Sequence, residues 1–166
     1  MFQIGDQVVY GIHGICLILD LEERSMDRKK IKYFVLEPIE QPGARFYVPS
    51  ENPAALAKLR HIISRQELED LLNSEEIRVN CWIADENQRK QRYRELINSS
   101  DRVALLQMIG TLHQHKKDQV AAGRKFHLCD ENFLRDAEKL LNAEFSLVLG
   151  IHPSEVGGYI LSALDK

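Results

Sequence analysis

The hydrophobic period of this chain changes once, near residue 60, and that change restricts the folds open to it. Upstream, short runs rich in Val, Ile, Tyr and Phe follow one another: "QVVYG", "GICLILDLEE", "KIKYFVLEPI" and "ARFYVP". Gly and Pro punctuate them in "GIHG" and "QPGA", and "SMDRKK" makes a polar hairpin tip. Four or five short strands within about fifty residues are too few for a wide sandwich, and they predict a small, strongly bent barrel of SH3 or Tudor type. Pro49 and Pro53 bracket a segment that leaves the sheet, because proline cannot donate to a ladder.

Downstream the period is helical. "SRQELEDLLN" opens with Ser64 as N-cap and Glu67 three residues on, the pattern of a capping box. "SSDRVALLQMIGTLHQHKKDQVAAG" begins at Ser100 or Asp101 and stops at Gly123. A third helix starts at Asp130, carries Phe133, Leu134, Ala137, Leu140, Leu141 and Phe145 on one stripe, and ends near Gly150. A short last helix follows Pro153, with Val156, Ile160 and Leu164 on one face. The expected fold class is α+β with two segregated domains: a barrel at 1–60 and an all-α bundle at 64–166.

The net charge of −3 does not mark a nucleic-acid binder, but the charge is unevenly placed. Residues 1–77 carry −4, residues 78–127 carry +5 and residues 128–166 carry −4. A basic island between acidic flanks is what local phosphate contact requires, since counterion release rewards clustered cations; a solvated helix face gives the same count. Three widely spaced cysteines, Cys16, Cys81 and Cys129, fit a reducing compartment better than a disulfide framework. No apolar run reaches the ~18 residues of a membrane span. The N-terminus lacks the pattern of a signal peptide, so a cytoplasmic protein is expected.

Catalytic signals are poor. The chain has no GxxxxGK[ST], GxSxG or HExxH pattern. His113 and His115 are two apart and point to different faces of a helix. His127 and Cys129 lack a second ligand pair at zinc-finger spacing. Neither an enzyme, a cofactor, a metal nor a small-molecule substrate is expected.

The single tryptophan, Trp82, stands in "NCWIADENQRKQRYRELI". A helix beginning near Asp85 brings Gln88, Arg89 and Arg92 together, turns Tyr93, Leu96 and Ile97 inward, and leaves Lys90 and Arg94 to widen a basic surface. An aromatic blade beside cations is how proteins hold kinked or unstacked DNA. A large apolar ring that pins a linker to a helical core is the competing reading.

"MFQIGDQVVYGIHGICLILDLEER" resembles the opening of the CarD/CdnL group of bacterial transcription regulators, through Phe2, Ile4, Gly5, Asp6, Val8, Val9, Tyr10, His13 and Gly14. "YFVLEPIE" and "FYVPSEN" resemble that family's third strand and the close of its barrel. "SSDRVALLQMIGTL" and "LCDENFLRDAEKLLNAEF" resemble two of its helices more loosely. The resemblance implies a Tudor-like domain that adds a strand edge to the β subunit of RNA polymerase. It also implies a helical domain on promoter DNA at the upstream edge of the melted bubble, with a Trp wedge and basic residues stabilising the open complex largely without base reading. Carried over, it places polymerase contacts at Arg24, Tyr47, Val48 and Pro49 and DNA contacts at Trp82 and Arg92, to which the helix spacing adds Arg89 and Lys90. Well-known members carry an arginine at the position of Tyr47, and they run from the Trp almost directly into the basic residues, without the extra "IADENQRKQ" of this chain. A protein–protein adaptor with the same barrel but no DNA contact is the alternative function, and a small hydrolase built on Cys129 and His127 a weaker one.

Overall fold

The computed structural model describes residues 1–165 and divides the chain into two compact units, Met1–Ile62 and the residues from Ile63 on. The first unit is an antiparallel five-stranded sheet: β1 (Gln7–Tyr10), β2 (Ile15–Met26), β3 (Lys29–Pro38), β4 (Phe46–Pro49) and β5 (Leu59–His61). The strand order is β4-β3-β2-β1-β5. The second unit is helical, so the fold class is α+β, as the change of period predicts.

Within the first unit, β2 and β3 form one long hairpin whose turn residues, Asp27 and Arg28, both have positive φ (49° and 67°). Two consecutive left-handed residues make a turn whose twist matches that of the flanking strands. The register slips between Ile18 and Asp20, and this bulge bends the hairpin over its own inner face. Val8, Cys16, Ile18, Phe34, Leu36, Val48 and Leu59 fill that face. A single helical turn, α1 (Pro53–Leu56), links β4 to β5; Asn52 caps it, and Ala55 and Leu56 pack against the core. On its side away from β2, β1 pairs with β5, a strand of only three residues, through Val8, Val9 and Tyr10.

The helical unit comprises α2 (Arg65–Asn73), a 3-10 turn at Glu75–Arg78, α3 (Glu86–Ser99), α4 (Arg102–Ala121), α5 (Leu128–Leu149) and α6 (Pro153–Leu164). Caps set most of the boundaries. Ser64 accepts from the Glu67 N–H, Asp85 from Gln88 and Asp101 from Ala104. Gly123 and Gly150 take left-handed φ where α4 and α5 stop. The expected start of α5 at Asp130 is corrected: the helix begins at Leu128 after His127, and Asp130 lies buried in its first turn. Phe133, Leu134, Ala137, Leu141 and Phe145 are buried as the stripe predicts, in one core with Leu105, Leu106, Met108, Ile109 and Leu112 of α4. No single helix among the described residues is long and apolar enough to cross a membrane.

Two buried carboxylates tie this unit together. Glu144 of α5 accepts from the Ile63 N–H at 2.9 Å and receives the Arg102 guanidinium at both oxygens. Asp130 receives Arg89 of α3 in the same two-pronged way. A guanidinium matches a carboxylate in plane and spacing, so each pair fixes orientation as well as proximity.

Candidate functional site

Two surfaces gather the residues singled out in the sequence. On the sheet, directly paired residues share a face. Arg24 lies opposite Ile31, Glu22 opposite Tyr33, Tyr33 opposite Pro49, and Val35 opposite Tyr47. Arg24, Tyr47 and Pro49 therefore belong to the outer face, turned away from the core. Tyr47 is 41% exposed, and the Arg24 guanidinium sits 4.1 Å from its ring centre while Nη2 donates to Glu22. The pair offers an outside partner a flat aromatic and a cation held over it.

The backbone of β4 adds a second feature. The Ser50 N–H donates to the Lys32 carbonyl, which makes that pair a hydrogen-bonded one. Antiparallel pairs alternate, so Phe34–Val48 is hydrogen-bonded too, and Tyr47 and Pro49 turn their main-chain groups away from β3. Pro49 has no N–H to present there, so its place on an edge strand costs no ladder bond. The carried-over role of Val48 is corrected by the same geometry. Its side chain is buried at 1% exposure and its backbone pairs with β3, so it faces the core and not a partner.

The second surface surrounds Trp82. The indole is half-buried and packs against the helical core, as the linker-pinning reading requires. The His115 imidazole of α4 stacks on it, with ring centres 3.7 Å apart and planes 20° from parallel. The Arg89 guanidinium lies 4.3 Å from the same ring. Phe126, in the turn between α4 and α5, leans on His115 at 6.2 Å, and the Lys116 ammonium lies 5.7 Å from Phe126. Hydrogen bonds hold the irregular segment on either side of Trp82. The Cys81 N–H donates to Thr111 Oγ1, Tyr93 Oη donates to the Cys81 carbonyl, and Arg89 Nη1 donates to the Ile83 carbonyl.

Arg89 is not a surface cation. It is 4% exposed, its Nε and Nη2 lie 2.9 and 3.1 Å from the two Asp130 oxygens, and a phosphate cannot reach it. This corrects its assignment to the DNA-contacting set: buried charge needs a partner, and Asp130 supplies one. Lys90 is part-exposed and bridges Glu86, and Arg92 is exposed beside Glu95. Hydrogen bonding and charge from Lys90, with smaller contributions from His127 and Arg89, hold the Glu86 carboxyl below its ordinary range. Asp85 is occupied as the α3 cap, so both acids that follow Trp82 are locally compensated. Arg94, Lys117, Arg124 and Lys125 are exposed as well.

His115, Lys116 and Phe126 are companions of Trp82 that sequence reasoning misses. The only signal for them is the mixed aromatic and basic character of "HQHKK" and "RKFH", which says nothing about pairing across elements. Cys81 and Cys129 are partly buried, and the described residues contain no group of three or more His, Cys, Asp or Glu side chains arranged to hold a metal.

Comparison with known proteins shows two similarities. Residues 2–63 match the family model of the CarD-like/TRCF RID domain. Over nearly its whole length the chain is similar to a Bacillus subtilis (strain 168) protein named "Putative transcription factor YdeB", with 23% identity over 172 residues that cover 96% of this chain and 99% of that one. The sheet unit is thus similar to the CarD-like/TRCF RID domain, and the chain as a whole to a protein named for transcription.

Proposed function

We propose that this chain is a transcription regulator that docks on the β subunit of RNA polymerase through the outer face of its sheet, and that its helical unit then holds promoter DNA at the upstream edge of the melted bubble. The observation that carries the reading is the Arg24–Tyr47 pair, exposed on the outer face beside main-chain groups of β4 that turn away from the sheet. A strand from a partner can pair with such an edge while the Tyr47 ring and the Arg24 charge select it. Arg24, Tyr47 and Pro49 form the docking contact and Val48 braces it.

On the DNA side, Trp82 presents an aromatic edge. Lys90, Arg92, Lys116, Arg124 and Lys125 supply phosphate contacts. These are individually weak in a protein of net charge −3. Docking raises the effective concentration of the helical unit at the promoter, so weak contacts suffice. Their effect is to favour the open complex, with no covalent step and no base-specific reading.

The test is calorimetric titration of the full-length protein into RNA polymerase core enzyme. Tyr47→Ala combined with Arg24→Ala is expected to weaken binding by on the order of a hundredfold, the scale of a missing aromatic–Arg anchor. Unchanged binding refutes the docking face. Wild-type binding to polymerase together with no salt-dependent affinity for forked DNA refutes the second half and leaves a protein–protein adaptor.

A further inference from the structure

We infer that Arg89 and Asp130 are positioning residues for Trp82: their buried ion pair presets the indole in the orientation used on DNA. The inference rests on the reading that Trp82 meets the DNA, and it assigns a role to two residues that cannot touch DNA themselves. One guanidinium performs three tasks. Nε and Nη2 bind both oxygens of Asp130 on α5, Nη1 donates to the Ile83 carbonyl at 3.0 Å, and Cζ lies 4.3 Å from the centre of the Trp82 ring.

The segment carrying Trp82 has no helix or strand to hold it. Its order comes from anchors on both flanks: Cys81 is held by Thr111 and Tyr93, and Ile83 by Arg89. Arg89 alone among these touches both the main chain after the indole and the indole itself. Asp130, 1% exposed, fixes the guanidinium, which with the His115 ring stacked at 3.7 Å sets where the Trp82 ring lies. Burying two charges is a poor way to gain stability compared with apolar packing. A bidentate pair does fix geometry, and an aromatic that must enter a narrow gap benefits from being fixed beforehand. Lysine cannot reproduce this arrangement, because a point charge cannot fork onto a carboxylate and reach a carbonyl in one plane.

The test uses the full-length protein and exploits the single tryptophan. Open-complex lifetime on a linear promoter is measured for wild type, Arg89→Lys, Trp82→Ala and the double variant, with acrylamide quenching of Trp82 fluorescence recorded for the variants that keep it. Trp82→Ala is expected to shorten the lifetime by roughly tenfold, within the few kcal/mol that a side-chain wedge exchanges with one base step. Arg89→Lys is expected to approach the same reduction, to raise the quenching constant by about twofold and to leave polymerase binding unchanged. In the Trp82→Ala background, Arg89→Lys is expected to add nothing, because its effect runs through the missing ring. Asp130→Asn, isosteric and gentler on folding, is expected to move quenching and lifetime in the same direction. A wild-type lifetime and wild-type quenching for Arg89→Lys overturn the inference. So does a further reduction in the Trp82→Ala background, which would make Arg89 an independent contributor. If Trp82→Ala itself leaves the lifetime intact, the functional reading fails instead, and unchanged quenching in Arg89→Lys would refute positioning separately.

Discussion

Removing Asp130 while leaving Arg89 in place puts the helical unit to its hardest test. In Asp130→Ala the Arg89 side chain, 5% exposed, keeps only the Ile83 carbonyl and the face of Trp82, and forfeits both charge-assisted bonds. Breaking one partner of a buried pair costs about 3–5 kcal/mol, because the surviving charge must either stay dry or pull water into the core. That is a large share of the ~5–15 kcal/mol that holds an ordinary domain folded. Urea unfolding followed by circular dichroism and by Trp82 fluorescence reads it directly. With a slope of about 1–3 kcal/mol per molar urea, the midpoint of the helical transition should fall by roughly 2 M. The fluorescence change should coincide with the helical one, since the only indole lies in that unit. Replacing both partners by apolar residues, Arg89→Met with Asp130→Leu, should recover most of the stability. A single variant destabilised by less than about 1 kcal/mol, the scale of a surface pair, would refute the argument that this ion pair is dry and structurally committed.

The first unit should show its own pH signature. Burial pushes the Cys16 thiol up to about 11, above its unfolded value of 9.0. The folded state therefore retains a proton that the unfolded state has released, and stability falls as pH rises from about 9 to about 11. Cys16→Val should flatten that part of the alkaline unfolding profile relative to wild type; identical slopes would contradict the burial argument. On forked DNA, Arg124→Gln with Lys125→Gln should lower the dependence of log affinity on log salt by roughly 1.5, about 0.7–0.9 for each phosphate no longer neutralised. An unchanged slope would move the DNA away from the turn between α4 and α5.

What the sequence made legible was local. Ser64, Asp85 and Asp101 announce helix starts because a cap bonds to an N–H two or three residues away, and Gly123 and Gly150 announce stops because left-handed φ favours glycine. The α5 stripe and the β2–β3 hairpin are likewise written in short-range periodicity. β5 was not distinguishable, since three residues give too little alternation to separate from the chain around Pro53. Arg89 escapes sequence reasoning because its place depends on Asp130, 41 positions away, and helical spacing cannot tell an arginine facing solvent from one facing a buried carboxylate. Gln88 and Arg92 are exposed as expected, while Arg89 between them turns inward. Val48 is different, for "FYVP" already alternates, and that alternation places Val48 with the core and Tyr47 outside. Trp82's partners on α4 were hidden for the same reason as Asp130: stacking between an irregular segment and a distant helix leaves no periodic trace.

Photo-crosslinking from position 47 within a polymerase–promoter complex tests the docking claim most directly. With a benzophenone amino acid replacing Tyr47, the account expects the adduct on the β subunit. The same probe at Ile12, which is also exposed, should give little. Equal adducts from both positions, or an adduct from position 47 that falls on another polypeptide, would contradict it.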